Sequence, residues 1–121
     1  MIIIISGYIP SSLKQNIRVM SWIPQSDLLA HKDIKAFVSH VGHNSLYESA
    51  YHGVPVVAVP LFTDQFSNAR KAEHFGLAKV LDHKTMNAEE LSEAIQHVID
   101  EPRYIYRVIS LSSELLTLTH E

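Results

Sequence analysis

Polar residues between positions 40 and 48 have the types and spacing of an anion-binding site. Directly after the apolar run 37–39, the sequence has His40 before Gly42, and Asn44 and Ser45 after it. If a helix starts near residue 44, the free N–H groups of its first turn and its dipole attract an anion, most often a phosphate. The three side chains can add further donors. The alternative is that Asn44 or Ser45 only caps the helix and that His40 is a polar residue satisfied within the fold.

Glu48 and the pair Asp64–Gln65 carry groups that recognise hydroxyls. Glu48 follows Asn44 by four residues, so both face the same side of a helix, and its carboxylate can accept hydrogen bonds from a ribose beyond the phosphates. Asp64 and Gln65 set a carboxylate beside an amide, which suits sugar hydroxyls. Glu48 could equally be a solvated helix residue, and Asp64 could also cap the next helix.

Trp22 is the only tryptophan and stands three residues before Gln25, at the end of a predicted strand. Its indole can stack on a planar base, although a lone tryptophan is more often a core or rim residue. His40 and His43 form an H-x-x-H pair, but the chain has no cysteine and no third ligand at a fixed spacing. We therefore expect no metal site.

Composition excludes several classes of partner. The net charge is −3 with no basic run, so we expect no binding to nucleic acid. No apolar run approaches the roughly 18 residues that a membrane span needs, and Met1–Ile5 is too short for a signal peptide. The sequence therefore predicts a soluble chain without a targeting segment, and it leaves the localisation unknown.

A strand–helix–strand unit must bring these residues together. The apolar run that ends at Ser39 is followed by a turn, a helical segment from about residue 44 to 52, a glycine stop at Gly53 and a second apolar run, Val54 to Val59. In a parallel sheet the carboxyl ends of both strands lie at one edge. The polar residues at positions 40–48 and 64–65 would then share that edge.

The rest of the chain predicts an α/β domain with a parallel sheet of about four strands, covered by helices on both faces. Val54–Val59 is expected at the centre and Ile2–Ile5 near an edge. The other predicted elements are a strand at 17–22, a short helix at 27–31 capped by Ser26, a helix from Asp64 to about residue 75 stopped by Gly76, a strand at 78–81, a helix capped by Asn87 with Glu90 at the capping-box position, and a helix from Pro102.

The motif residues, taken together, resemble the signature of the UDP-glycosyltransferases, most closely the animal UDP-glucuronosyltransferase type. The matching positions are Trp22-Ile23-Pro24-Gln25, 37–40, Gly42, Ser45, Glu48, 52–55, Pro60 and Asp64-Gln65. The resemblance implies half of a GT-B enzyme, in which two Rossmann-like domains face each other. Residues 1–121 would be part of the carboxyl-terminal domain, which binds the nucleotide sugar. The acceptor-binding domain, with its histidine base, would be absent.

The resemblance also implies a role for each residue. Trp22 would stack on uracil with Gln25 beside it on the nucleoside. Glu48 would bind the ribose, Asp64 and Gln65 the transferred sugar, and the diphosphate would contact residues of the turn and helix start: His40, Gly42, Asn44 and Ser45. The UDP-sugar is a co-substrate, so no resident cofactor is expected. Relatives transfer a sugar to small lipophilic hydroxyl compounds, and the animal members are typically anchored in the endoplasmic reticulum membrane.

Two departures qualify that expectation. Where the family has a small residue after the histidine, this chain has Val41. If residue 41 needs positive φ, a branched side chain is strained there, which would weaken donor affinity roughly ten- to a hundredfold, and the side chain could also intrude on the ligand. The competing interpretation is that Val41 packs into the core and the site works normally. The second departure is length, because the acceptor domain with its base, the first part of the donor domain and the membrane anchor of the family would all be absent from these 121 residues. The alternative function is therefore a non-catalytic UDP-sugar-binding fragment or partner that associates with full-length relatives.

Overall fold

The computed structural model describes residues 2–5, 17–20, 22–104, 106–107 and 110–111, with side chains from residue 22 onward. The elements in chain order are β1 (Ile2–Ile5), β2 (Ile17–Met20), α1 (Gln25–Leu29), β3 (Phe37–Ser39), α2 (His43–Tyr51), β4 (Val56–Ala58), α3 (Thr63–His74), β5 (Ala78–Val80) and α4 (Ala88–Asp100). Residues 102–104, 106–107 and 110–111 are also helical. The predicted loop 7–16 and the apolar positions Ile105, Val108, Ile109 and Leu115 lie outside the described residues.

All described strand pairs are parallel, as predicted. β4 lies between β3 and β5, so the central position expected for Val54–Val59 is confirmed. β1 pairs with β2 in a separate two-stranded ladder, and no ladder joins β2 to β3 among the residues that the structure describes. This differs from the single sheet expected, because apolar patterning identifies strands but does not specify their neighbours.

β4 is buried on both sides because helices cover both faces of the three-stranded sheet. Val56 and Ala58 enter a cluster with residues of α3, and Val57 enters another with Ala94 and Val98 of α4. Successive strand side chains point to opposite faces, so three consecutive apolar residues contribute to both layers. None of the helices in the described ranges is long and apolar enough to span a membrane.

The helix starts follow the sequence only in part. Asn87 caps α4 as predicted, accepting the Glu90 N–H at 2.8 Å. Ser26 does not cap α1, since that helix begins at Gln25 after Pro24. Asp64 does not cap α3 either, because Gln65 Oε1 accepts the N–H groups of Leu61 and Phe62 at 2.9 and 3.0 Å and the helix already begins at Thr63. Asp64 instead lies in the first turn, where its charge suits the helix dipole.

Candidate functional site

The start of α2 presents free backbone N–H groups where β3 ends. Gly42 is the residue that precedes the helix, and the first helical bond runs from the Leu46 N–H to the Gly42 carbonyl at 3.1 Å. The N–H groups of His43, Asn44 and Ser45 therefore precede any helical partner. No side chain caps this helix. The alternative in which Asn44 or Ser45 is the cap is wrong, because they are its second and third residues.

The side chains around this helix start face the solvent. Those of His40 and Asn44 are exposed, and neither makes a hydrogen bond among the residues that the structure describes. The His40 ring lies beside Gly42: a methyl group in place of a Gly42 hydrogen would lie 3.4 Å from His40 Nε2. Imidazole and backbone donors thus converge on one surface, which can accept an anion.

The side chain of Gln25 contacts Ser45 and Glu48, which follow it by 20 and 23 positions in the chain. Gln25 Nε2 donates to Glu48 Oε2 at 3.0 Å and lies 3.3 Å from Ser45 Oγ. These bonds are partly buried and connect α1 to α2. Glu48 is therefore oriented by its neighbour rather than freely solvated, and its second carboxylate oxygen has no hydrogen-bond donor within the described part of the chain.

Trp22 lies three residues before Gln25, and 73% of its surface is exposed. This degree of exposure excludes the interpretation of Trp22 as a core residue. A flat apolar ring held at the surface is suited to stacking on a planar group. The structure thus leaves the predicted stacking surface accessible, on the side of α1 where the helix begins.

Asp64 and Gln65 differ in what they can still offer a ligand. Asp64 is exposed in the first turn of α3. Gln65 uses its amide oxygen within the protein, as described above, so only its Nε2 group remains to donate. The predicted pairing of a carboxylate acceptor with an amide donor is therefore possible, but the amide cannot also serve as an acceptor.

Val41 has a φ of 60°, the only positive value among the described residues other than glycine. Its side chain is fully buried in the cluster beneath α3, so the predicted packing of Val41 into the core is confirmed and the expectation that it could intrude on a ligand is wrong. Its N–H donates to Ser39 Oγ at 3.0 Å, and its carbonyl accepts from Asn68 Nδ2 at 3.1 Å. The weakening of donor affinity through strain stays a prediction, tested by comparing UDP affinity before and after Val41→Gly.

Ser39 and Asn68 were not identified from the sequence. Asn68 follows Asp64 by four residues on α3, the same spacing that linked Asn44 to Glu48, and this spacing could have indicated it. Its partner lies 27 residues earlier, however. Ser39 ends β3, as predicted. What the sequence did not indicate is that its hydroxyl, in a side chain only 8% exposed, accepts a backbone N–H.

The predicted residues lie on an open surface and not in an enclosed cavity. A concavity of about 460 Å³ near the end of β5 is lined by Pro60, Phe66, Glu73 and 80–84, of which only Pro60 belongs to the motif and none to the predicted ligand-binding set. His40 and His43 have no third metal-ligating partner, since the described part of the chain contains no group of three or more such side chains. The site is therefore a surface of backbone N–H groups, hydroxyl, amide and carboxylate.

Comparison with known proteins connects this chain to one family. The family model described as "UDP-glucoronosyl and UDP-glucosyl transferase" matches residues 2–116. Human 2-hydroxyacylsphingosine 1-beta-galactosyltransferase is 45% identical over 107 residues, which are 88% of this chain and 20% of that protein. Human UDP-glucuronosyltransferase 2B15 is 42% identical over 106 residues, with the same shares. The chain thus spans about a fifth of the length of the curated relatives it matches.

Solved structures agree on the fold. The glycosyltransferase of kitacinnamycin superposes with a TM-score of 0.83 at 29% identity, over 93% of this chain and 29% of that one. UDP-glucose: anthocyanidin 3-O-glucosyltransferase, solved in complex with UDP, gives a TM-score of 0.77 at 25% identity, over 84% of this chain and 24% of that one. The structural neighbours are GT-B glycosyltransferases, so the predicted fold class is confirmed.

Proposed function

Because the chain belongs to the family of UDP-glucuronosyl and UDP-glucosyl transferases, we propose that residues 22–65 bind the nucleotide-sugar donor of a glycosyl transfer. The acceptor of that transfer is a small lipophilic compound with a free hydroxyl. In this proposal the chain is part of the carboxyl-terminal domain of a GT-B enzyme. The UDP-sugar is a co-substrate, and neither a resident cofactor nor a metal is required.

The contact of Gln25 with Ser45 and Glu48 carries the proposal. It links the diphosphate end of the site, at the start of α2, to the ribose end one helical turn later. The diphosphate and the ribose of one nucleoside diphosphate would contact these two ends. The ring of Trp22, three residues before Gln25 in the chain, is exposed and available for uracil.

The proposed chemistry is an inverting displacement at the anomeric carbon. The acceptor oxygen forms a bond to that carbon while the bond to the diphosphate oxygen breaks, and a base takes the hydroxyl proton. Negative charge grows on the departing UDP. The free N–H groups of His43, Asn44 and Ser45, together with the His40 ring, are positioned to stabilise that charge. Asp64 and the Gln65 amide donor hold the sugar hydroxyls.

Binding of UDP tests the donor site. UDP is expected to raise the melting temperature of the chain, because a ligand that prefers the folded state stabilises it. Glu48→Ala should weaken UDP about ten- to a hundredfold, since it removes a charged acceptor from the ribose, and should leave inorganic phosphate unaffected. Glu89→Ala, an exposed carboxylate on α4, is the matched control. Equal losses for UDP and phosphate would refute the ribose assignment.

We further propose that the 121-residue chain binds the donor without transferring sugar. The resemblance assigns the acceptor-activating base to the other domain of the enzyme, whereas every predicted site residue of this chain is assigned to the donor. The alternative is a non-catalytic partner that associates with full-length relatives without turning over. Purified chain, incubated with UDP-sugars and a phenol, is expected to yield no glycoside, and detectable product would contradict this proposal.

A further inference from the structure

We propose that Asn68 is a positioning residue that sets which way the peptide between Val41 and Gly42 faces at the anion site. The inference rests on the proposed function, because it concerns the same diphosphate-binding turn. Asn68 lies on α3 and is partly buried, so it approaches the turn from the protein side. Its role is to orient a backbone donor and not to touch the ligand.

The geometry of one peptide group carries this inference. Asn68 Nδ2 donates to the Val41 carbonyl oxygen at 3.1 Å. In a trans peptide the carbonyl and the following N–H point in opposite directions. No peptide bond in the described residues is cis. A carbonyl held towards α3 therefore directs the Gly42 N–H away from α3, towards the open surface where the helix begins.

Gly42 leaves the opposite orientation of this peptide open. Reversing it would turn the φ of Gly42 from −57° to a positive value, which glycine tolerates. It would also turn the ψ of Val41 by about half a turn, which a β-branched residue with a φ of 60° resists. The Val41 carbonyl would then face the anion and repel it. The hydrogen bond from Asn68 opposes the reversal together with this restriction on Val41.

Two further contacts hold the other side of the turn. Ser39 Oγ accepts the Val41 N–H at 3.0 Å, and the Val41 side chain is fully buried. These contacts hold the N–H and the side chain of residue 41, but neither is made to its carbonyl. Among the described residues, Asn68 makes the hydrogen bond that holds that carbonyl directly.

The test uses the full 121-residue chain, with Asn68→Asp, Asn68→Ala and the control Ser67→Ala, an exposed neighbour on α3. Aspartate keeps the shape but loses the donor and repels the carbonyl. Calorimetry should show UDP and inorganic pyrophosphate both weakened, about tenfold or more for Asn68→Asp and less for Asn68→Ala. Crystals of the ligand-free aspartate variant should show the Val41 carbonyl rotated away from the side chain of residue 68, and Ser67→Ala should match the parent in both measurements.

The outcomes separate this inference from the proposed function. If the parent chain binds neither UDP nor pyrophosphate, the proposed function fails, and the ligand-free crystals still decide the role of Asn68. A retained peptide orientation, unchanged affinities, or a loss confined to UDP would overturn that role. If the aspartate variant does not fold, Asn68→Ala is crystallised in its place and the same criteria apply.

Discussion

The turn that opens α2 and the turns that close α2 and α3 use the same left-handed backbone with different residues. Gly53 and Gly76 have φ values of 72° and 75°, and Val41 has 60°. Glycine adopts this region without a steric penalty, whereas a β-branched residue does so only when its surroundings hold it there. The comparison therefore separates locally encoded turns from one that is held by tertiary contacts.

The two glycine turns are closed by bonds within their own helices. After α2, the Val54 N–H donates to the Ser49 carbonyl at 2.9 Å and the Gly53 N–H to Ala50 at 3.1 Å. After α3, the pattern is the same: the Leu77 N–H donates to the Ala72 carbonyl at 2.9 Å and the Gly76 N–H to the Glu73 carbonyl at 3.0 Å. Both are Schellman motifs, which need a left-handed residue at a fixed position. Each turn is thus specified by a few neighbouring residues.

The Val41 turn has no such local motif. Its carbonyl partner, Asn68, comes from α3, and its side chain packs among residues of β4 and α3. Its strain, on the order of 1–3 kcal/mol, is offset by contacts that exist only in the folded domain. We infer that the proposed anion site takes its shape from the packing of α3 against the sheet.

Among substitutions at the three left-handed turns, Gly76→Val is expected to have the largest effect on stability. Valine would be strained at a φ of 75°, and its Cβ would lie 3.3 Å from Arg107 Cγ, which must move. Strain and crowding together should lower the free energy of unfolding by about 3 kcal/mol, measured by urea denaturation. A loss of less than about 1 kcal/mol would show that this turn is not limited by its glycine.

Gly53→Val is the matched substitution without crowding. Its φ of 72° is nearly the same, but a Cβ there meets nothing within 4 Å. We therefore expect a loss of about 2 kcal/mol from strain alone, by the same urea measurement. If Gly53→Val costs as much as Gly76→Val, contact with Arg107 contributes nothing and the comparison reduces to backbone conformation.

The contrast also explains what the sequence could predict. The stops at Gly53 and Gly76, and the cap at Asn87, depend on residues a few positions apart, so their patterns are visible in the sequence. The β3–α2–β4 unit was predicted for the same reason, with boundaries shifted by one or two residues. The predicted site residues Gln25, Ser45 and Glu48 do meet in the structure.

Features that depend on distant contacts were missed. The φ of Val41 follows from its burial and from Asn68, neither of which any local pattern encodes. Asp64 was expected to cap α3, but the start of that helix is set by Gln65 reaching back to two backbone N–H groups. The separate pairing of β1 with β2 likewise depends on which strands meet in space.

Ser39→Ala tests one of the tertiary contacts at Val41. It removes the acceptor of a buried N–H, which should cost roughly 1–2 kcal/mol of unfolding free energy. Ser49→Ala is the control: this serine is also buried, but its hydroxyl donates to the Leu46 carbonyl three residues earlier in the same helix, so its loss leaves no buried N–H without an acceptor. If thermal or urea denaturation shows equal costs for both, the Val41 N–H does not depend on Ser39.

Val41→Gly should have the smallest net effect, because two large contributions oppose each other. Glycine removes strain of roughly 1–3 kcal/mol, but it also removes a buried side chain worth roughly 1.5–3 kcal/mol and adds roughly 0.5–1 kcal/mol of backbone entropy cost. The expected net loss of unfolding free energy is about 1 kcal/mol.

Val57→Gly is the matched control, because Val57 is equally buried but lies in β4 without positive φ. It gains no relief from strain and should cost about 3 kcal/mol or more. The difference between the two substitutions measures the strain at the anion turn, and equal losses would mean that valine is not strained there.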